Sequence, residues 1–502
     1  MNKTRNSIYN AITSLLLTML NGLTSIVIIQ KIIEVYGSDF NGLNSTVNQL
    51  INMLLVVEGG FTLAISVSLF KPLTENDKTQ VNSILSASRN IFKKIGLLFL
   101  IIGTIASVVI TLLIKSSLPY SIIFFSFFSM IFSTFINLYY ATKYRIVLQT
   151  DMKEYVINLI QIVLMIFSQT AILVILYLEM DMILIRSVLM LSSLISSLLI
   201  FMITKKKYSY INYSEKPNYK EIKGTKDVFV QKITSVLYGA FPMVFISMTV
   251  GTTFASVYIV YNNIFSLVKN IIYSLVNAPR IGFGRIIQER DKKSVFKLFK
   301  LYEFIIIFIL IFSINCLVLL IEPFIGLYTA RIADPIYKNF VLVILMTLIL
   351  FFEIIHIPSG NIINMAGKFK VGKIIQTIAS VILIISMIVM NLLYGFFGIL
   401  VAVLVTAVIL AILEITYIYI YYFKESLFKF IFPLLKICTF SYVMVNLQKM
   451  LIDLSVENYF NLFILAIFIG ILNLILLIIY CFIFENKIFR NLWSYFKVFT
   501  NK

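Results

Sequence analysis

The sequence predicts an all-α polytopic membrane protein, and three observations support this fold class. Hydrophobic residues make up 60% of the 502 residues and charged residues only 13%, with a mean hydropathy of +0.97. A membrane-spanning helix needs about 20 mostly apolar residues, and about fourteen runs of the sequence approach or exceed that length. Most lysines and arginines lie between these runs. Such a composition excludes a soluble globular domain.

The apolar runs predict about fourteen transmembrane helices, with boundaries good to a few residues. They cover residues 8–33, 43–70, 93–114, 120–142, 155–178, 182–203, 228–250, 254–279, 301–321, 339–364, 374–390, 393–421, 428–448 and 459–484. The junctions near residues 179–181 and 391–394 are short, so they predict tight turns between adjacent helices.

The positive charges predict the orientation in the membrane. Lysines and arginines are enriched in cytoplasmic loops, and alternate sides of the predicted helices hold 33 and 5 of them. We therefore expect a multi-pass protein of the bacterial cell membrane with both termini in the cytoplasm. Because the net charge of +19 resides in these loops, it does not imply nucleic-acid binding.

The longest cytoplasmic loop predicts the domain organisation. Residues 204–227 form a polar linker between two six-helix lobes, residues 1–203 and 228–421, and residues 422–502 add two helices and a tail. Transporters are commonly built from internal repeats, and the halves show weak similarity at an offset of 214 residues. At this offset Gly37, Phe40 and Asn48 align with Gly251, Phe254 and Asn262.

Two charges are predicted to lie deep in the membrane. Counting about 1.5 Å per helical residue, Glu58 lies roughly 18 Å and Lys269 roughly 15 Å from the nearer end of its span. Charges at this depth face a bundle interior and commonly mark a transport path. Glu58 is then a path residue or a protonated acid bonded to a neighbour. Lys269 either neutralises Glu58 or lines a cavity suited to an anionic substrate.

Glu353 and the single histidine, His356, form the third candidate site. They are three residues apart and share a helix face, with Glu353 roughly 16 Å deep. Such a pair predicts either a proton or sodium relay or a buried hydrogen-bonded pair that stabilises a helix kink. By contrast, Arg186, Lys232 and Glu303 lie near span ends, where we expect their side chains to reach the interface.

Over nearly its whole length the chain resembles the polysaccharide flippases of the Wzx type, in the superfamily that holds MATE exporters and lipid II flippases. The resemblance rests on YGSDFNGLNSTVNQL before VVEGGFTLAISVSLFKPL, on YYATKYRIVLQTDMKEY from Tyr139, and on IPSGNIINMAGKFK. It implies two six-helix lobes and transport by alternating access. The cargo it implies is an undecaprenyl-pyrophosphate-linked oligosaccharide, moved from the inner to the outer leaflet for capsule or exopolysaccharide synthesis.

We therefore predict a flippase rather than an enzyme, with no catalytic residue. Lys269, Arg145 and Arg280 are predicted to bind substrate, and Glu58, Glu353 and His356 to couple transport to a proton or sodium gradient. No cofactor is expected, and the three cysteines lie in apolar runs, which gives no support for a metal site. Polymerase and glycosyltransferases of the same pathway are expected partners.

Two alternatives remain open at the sequence level. A cation-coupled exporter of the MATE type would share the architecture, but it predicts acids rather than a lysine at its centre. A membrane polysaccharide polymerase or ligase would need a large external loop, and the longest predicted here has 17 residues.

Overall fold

The computed structural model describes residues 2–219, 222, 225–277, 287, 291–332 and 337–485, and every regular element within them is helical. The all-α prediction is confirmed for these residues. The chain forms two compact units, which comprise residues 1–260 and 261–502. The division into two six-helix lobes with an appended helix pair stays a prediction.

The first unit is built from long apolar helices. They are α1 (Asn2–Leu54), α2 (Val56–Glu75), α3 (Lys78–Leu113), α4 (Tyr120–Ile136), α5 (Thr142–Thr150), α6 (Glu154–Tyr177), α7 (Ile183–Lys207) and α8 (Thr225–Thr249). A further helix, α9 (Thr252–Asn277), begins in this unit and ends in the second. A π-helical segment, Asn137–Ala141, joins α4 to α5. Helices α1 and α4 form part of the hydrophobic core of this unit, where Phe40 and Leu43 of α1 pack with Phe127 of α4.

Helix α1 is interrupted at Gly37, whose φ of 81° and ψ of 169° are not helical. The Asn10 side chain, before the break, donates to the Met152 carbonyl oxygen at 3.1 Å. After the break, Asp39 accepts a 3.0 Å bond from the Ser116 hydroxyl. Because Met152 precedes α6 and Ser116 follows α3, the first half of α1 runs from one end of the unit to the other.

The chain then returns to the end where it began. Asn82, in the first turns of α3, donates to the Tyr210 carbonyl oxygen at 3.1 Å. Tyr208 lies beside Lys153 at that same end, with their Oη and Nζ atoms 3.1 Å apart. The second half of α1 together with α2 therefore runs antiparallel to the first half, and Gly37 marks the reversal.

The second unit also consists of long apolar helices. Its helices are α10 (Lys292–Tyr328), α11 (Phe340–Ile355), α12 (Ile357–Met365), α13 (Phe369–Thr416), α14 (Phe428–Leu451) and α15 (Tyr459–Phe484). A second π-helical segment, Tyr417–Phe423, follows α13. Within α13, Gly395 has a φ of 55°, and a Cβ atom on Gly398 would lie 1.9 Å from the Met390 carbonyl oxygen. Residues eight apart in one straight helix are about 12 Å apart, so the chain also reverses here.

The helices identify a multi-pass membrane protein. In the described part of the chain, ten are long and apolar enough to cross a membrane. Large apolar side chains such as Leu112, Leu392 and Phe463 are exposed at their surfaces, as a lipid environment requires. The count of fourteen spans is not confirmed, since residues 8–54 and 369–423 each count once among the ten.

The aligned glycines of the sequence repeat both lie at breaks between helical segments. Gly37 and Gly251 both have positive φ, 81° and 137°, a region that a residue with a Cβ atom rarely adopts. Gly251 separates α8 from α9 as Gly37 separates the two halves of α1. This likeness fits the 214-residue offset, and the wider repeat stays a prediction.

Candidate functional site

Lys269 forms an ion pair with Glu353 inside the second unit. Lys269 lies on α9 and Glu353 lies two residues before the end of α11, and their Nζ and Oε2 atoms are 2.9 Å apart. The two side chains are 28% and 11% exposed. The lysine predicted to bind an anion therefore has a carboxylate at hydrogen-bond distance in this structure.

His356 pairs with a different acid, Glu414. The histidine lies between α11 and α12, and its Nδ1 atom is 2.8 Å from Oε2 of Glu414, near the end of α13. Glu414 is 5% exposed. The sequence placed Glu353 and His356 together as one pair, but each has its own partner in the structure.

Gly360 makes room for the Glu414 carboxylate. A Cβ atom at this position of α12 would lie 2.5 Å from Oε2 of Glu414, closer than van der Waals contact allows. The next residue, Asn361, donates from Nδ2 to the Tyr302 hydroxyl at 3.0 Å. That hydroxyl in turn donates to the Val276 carbonyl oxygen at 2.7 Å. These bonds hold α12 against α10 and α9, and the close approach at Gly360 places the Glu414 carboxylate directly against α12.

Tyr273 lies within the fields of both ion pairs. The charges of Lys269, Glu353 and Glu414 all act on its hydroxyl. We call Lys269, Tyr273, Glu353, His356 and Glu414 the charge cluster. With a neutral imidazole its formal charge is −1, and with a protonated imidazole it is zero. The cluster thus places two carboxylates beside one lysine and one imidazole.

A second polar site lies in the first unit, around Glu58 and Arg145. Glu58 is in the first turn of α2, where the helix N-terminus favours a carboxylate, and it accepts a 3.4 Å bond from Thr62 Oγ1. The charges of Glu58 and Glu154 both act on Arg145. The Nε atom of Arg145 is buried without a hydrogen-bond partner. This nitrogen is a donor that a bound anion could use.

An apolar cavity of about 90 Å³ adjoins Glu58. Its lining includes Leu54, Ile95, Phe99 and Leu138. The Glu58 carboxylate thus interacts with the charge of Arg145 and also borders an apolar cavity.

The remaining residues that the sequence singled out are not part of either site. Arg280 and the side chain of Lys232 lie outside the described residues. Arg186 was expected to reach the interface but is buried, with 1% exposed, and its Nη2 atom donates to the Asn44 carbonyl oxygen at 3.1 Å. Glu303 is equally buried and accepts bonds of 2.6 Å from Lys300 Nζ and the Tyr419 hydroxyl.

Among the described residues, no group of three His, Cys, Asp or Glu side chains could hold a metal ion.

Sequence reasoning assigned no role to Glu414 or Tyr273, and it predicted only a helix break at Gly360. A carboxylate in the apolar run of residues 393–421 was a visible signal for Glu414, because a charge in a span needs a partner. The partner itself depends on the packing of α12 against α13, which no local pattern encodes.

The fold is shared with solved structures of membrane transporters. A lipid II flippase, MurJ, in an inward closed conformation has a TM-score of 0.66 and 19% identity, and the match covers 95% of this chain and 100% of that one. An inward-facing MATE multidrug resistance transporter of the MOP superfamily has a TM-score of 0.65 and 14% identity, with coverage of 80% and 96%.

A MATE structure in a bent conformation matches with a TM-score of 0.53 and 13% identity, over 88% of this chain and 98% of that one. At these identities the likeness establishes the fold and leaves the cargo open. No protein-family profile matches the chain, and no curated protein matches it by sequence.

Proposed function

We propose that this protein flips an undecaprenyl-pyrophosphate-linked oligosaccharide repeat unit from the inner to the outer leaflet of the bacterial cell membrane. The observation that carries the proposal is the extent of the fold match. The lipid II flippase structure matches 95% of this chain and all of its own length, whereas the two MATE structures match 80% and 88% of this chain. The transported repeat unit serves surface polysaccharide synthesis, with polymerase and glycosyltransferases as partners.

The cation of Lys269 supports an anionic cargo. A lysine ammonium far from either end of its helix costs about 2.5–3.5 kcal/mol on insertion scales, and Glu353 offsets that cost in the resting protein. A pyrophosphate carries more charge than one carboxylate. In the proposed cycle Lys269 therefore exchanges Glu353 for the pyrophosphate. Arg145, through its unpartnered Nε donor, and Arg280 are each proposed to contact the substrate at some step of transport.

Coupling to a proton or sodium gradient follows from the same exchange. When Lys269 turns to the cargo, Glu353 loses its counterion and the charge cluster becomes more negative. A cation taken up at Glu353 or His356 restores the balance, and Glu414 holds His356 in position for it. Glu58 is the corresponding acid of the first unit.

Fourteen membrane crossings with both termini in the cytoplasm complete the proposal. The reversals at Gly37 and Gly395 support two crossings each for residues 8–54 and 369–423. Helices α8 and α9, which are not among the ten apolar spans, supply the remaining two.

Transport of the cargo can be tested with purified protein. Proteoliposomes would carry a fluorescent undecaprenyl-pyrophosphate oligosaccharide, and an impermeant reductant would quench the label in the outer leaflet. We expect protein-dependent flipping, which Lys269→Ala reduces at least tenfold. Lys436→Ala is the matched control, since Lys436 on α14 lies 4.4 Å from the Phe432 ring centroid and outside the charge cluster. Flipping no faster than in protein-free vesicles would refute the proposal.

The second candidate is a cation-coupled exporter of the MATE type. Two observations favour it, the MATE fold match and the two carboxylates of the charge cluster. An exporter would lower the accumulation of cationic dyes in intact cells, whereas a flippase would leave dye accumulation unchanged. Deleting the gene for a flippase would instead cause the lipid-linked oligosaccharide to accumulate.

A further inference from the structure

Lys143, on α5, is a buried lysine surrounded by tyrosines. It is 6% exposed, and its Nζ atom donates to the Tyr139 carbonyl oxygen at 3.3 Å. The same nitrogen lies 5.2 Å from the ring centroid of Tyr144 and 5.7 Å from that of Tyr213. These contacts are cation–π interactions.

No carboxylate of the described residues forms an ion pair with Lys143. Two other lysines of membrane helices do have one, since Lys269 contacts Glu353 and Lys300 contacts Glu303. A buried ammonium without a counterion is costly. The tyrosine faces and one carbonyl group offset only part of that cost.

Two further cations increase the local positive charge. Arg89 and Lys93 lie half-buried on α3, one turn apart. The Arg89 guanidinium is 5.0 Å from the Tyr213 ring centroid and Lys93 Nζ is 5.3 Å from that of Tyr139. Their charges both act on Lys143. Neither forms an ion pair with a carboxylate in the described part of the chain, so three like charges share one set of aromatic rings.

The linker after α7 completes the site. It is held on α3 by two bonds of 3.0 and 3.1 Å, from Ser83 Oγ to the Lys216 carbonyl oxygen and from Asn90 Nδ2 to the Tyr219 hydroxyl. Tyr213 lies just before these contacts in the linker, and its buried hydroxyl faces Tyr144, whose ring centroid is 6.4 Å from that of Tyr213. A buried hydroxyl thus lies beside three cations that form no ion pair with a carboxylate of the described residues.

We propose that Arg89, Lys93, Lys143 and Tyr213, the cation–tyrosine site, bind a phosphate group. A phosphate would supply the missing negative charge, accept from the guanidinium in the forked geometry that arginine favours, and accept from the Tyr213 hydroxyl. The group is either the headgroup phosphate of an anionic membrane lipid or a free phosphate or pyrophosphate. Basic pockets between membrane helices commonly hold such headgroups.

This site is separate from the one at Glu58. Lys143 and Arg145 are two residues apart on α5, which places their side chains about 200° apart around the helix. Arg145 lies in the field of Glu58, whereas Lys143 lies in that of Arg89 and Lys93. The proposal therefore does not depend on the transported cargo.

Binding can be measured on the purified full chain in neutral detergent, without any transport assay. The probes are phosphatidylglycerol, detected as bound adducts by native mass spectrometry, and sodium pyrophosphate, detected by a shift of the thermal unfolding midpoint. The test variant is Arg89→Gln with Lys93→Gln. Lys94→Gln is the matched control, because Lys94 is the exposed neighbour of Lys93 on the same helix.

At about 1 kcal/mol for each basic residue near an anionic lipid, each removed cation weakens binding about fivefold. We expect the double variant to bind about 25-fold more weakly than the wild type, and Lys94→Gln to bind like the wild type. If only phosphatidylglycerol shows this pattern, the site binds a lipid headgroup. If only pyrophosphate shows it, the site binds a free phosphate. Equal binding by the double variant and the wild type with both probes, or no binding of either probe, would overturn the proposal.

A second variant keeps the test independent of folding defects. Tyr213→Phe retains the ring and its cation–π contacts and removes only the hydroxyl, so its unfolding midpoint without ligand should stay close to that of the wild type. Its affinity for the bound probe should fall about tenfold or more, because the phosphate loses a hydrogen bond to a charged group. An unchanged affinity would remove Tyr213 from the site.

Discussion

The imidazole of His356 lies 2.8 Å from the carboxylate of Glu414, although 58 residues separate them in sequence. The contact joins the break between α11 and α12 to the last turn of α13. It brings the imidazole next to a buried acid in the second unit.

We predict that this contact carries the coupling ion. In proteoliposomes with an imposed proton gradient, Glu414→Gln and His356→Gln should each abolish the dependence of transport on the gradient, because neither variant retains the paired acid and base. Glu425→Gln is the control, since Glu425 pairs with Lys429 outside the charge cluster. If transport by both cluster variants still depends on the proton gradient, this pair is excluded from proton coupling. The same measurement with an imposed sodium gradient tests sodium coupling.

We predict that Gly360 is needed for the position of Glu414. Gly360→Ala places a methyl group against Oε2 and should lower stability by about 1–3 kcal/mol, the usual cost of overpacking. The measurement is the thermal unfolding midpoint in detergent. Gly326→Ala is the matched control, because its Cβ atom would meet nothing within 4 Å and alanine favours the helix. A midpoint for Gly360→Ala at or above that of the control would show that the carboxylate moves without cost.

The sequence predicted elements better than partners. Apolar length and the 3.6-residue period locate helices because both are local properties, and a deep charge such as Glu353 is recognisable by its position alone. The partner of that charge is set by which helices pack together, and these contacts join residues far apart in sequence. Glu353 and His356 were therefore recognised as buried groups, while their bonds to Lys269 and Glu414 required the structure.

The reversals in α1 and α13 show the same limit. Glycine at positions 37 and 395 was visible, and the junction near residues 391–394 was expected to be a tight turn. The first span, however, was expected to end near residue 33, whereas helical structure continues to the break at Gly37. A glycine marks a permitted change of direction, and only the packing on either side determines where the turn occurs.

We predict that Lys216 faces the cytoplasm and Asp453 the exterior. Both residues are exposed, so cysteines introduced at them in a cysteine-free background are accessible to a thiol reagent. An impermeant maleimide applied to intact cells should label the cysteine at 453 and leave the one at 216 unlabelled until the cells are opened. The reverse pattern would invert the orientation predicted from the distribution of lysine and arginine.

The last prediction separates a structural from a transport role for Lys269. Removing one partner of a buried ion pair costs about 3–5 kcal/mol, and less here because the lysine side chain remains 28% exposed. Lys269→Met should thus lower the unfolding midpoint, since Glu353 loses its counterion. The double variant Lys269→Met with Glu353→Met should restore the midpoint, because replacing both partners with apolar side chains of similar size is often neutral. If Lys269 also holds the anionic cargo, the restored protein should still fail to flip it. A double variant that is stable and transports normally would limit Lys269 to neutralising Glu353.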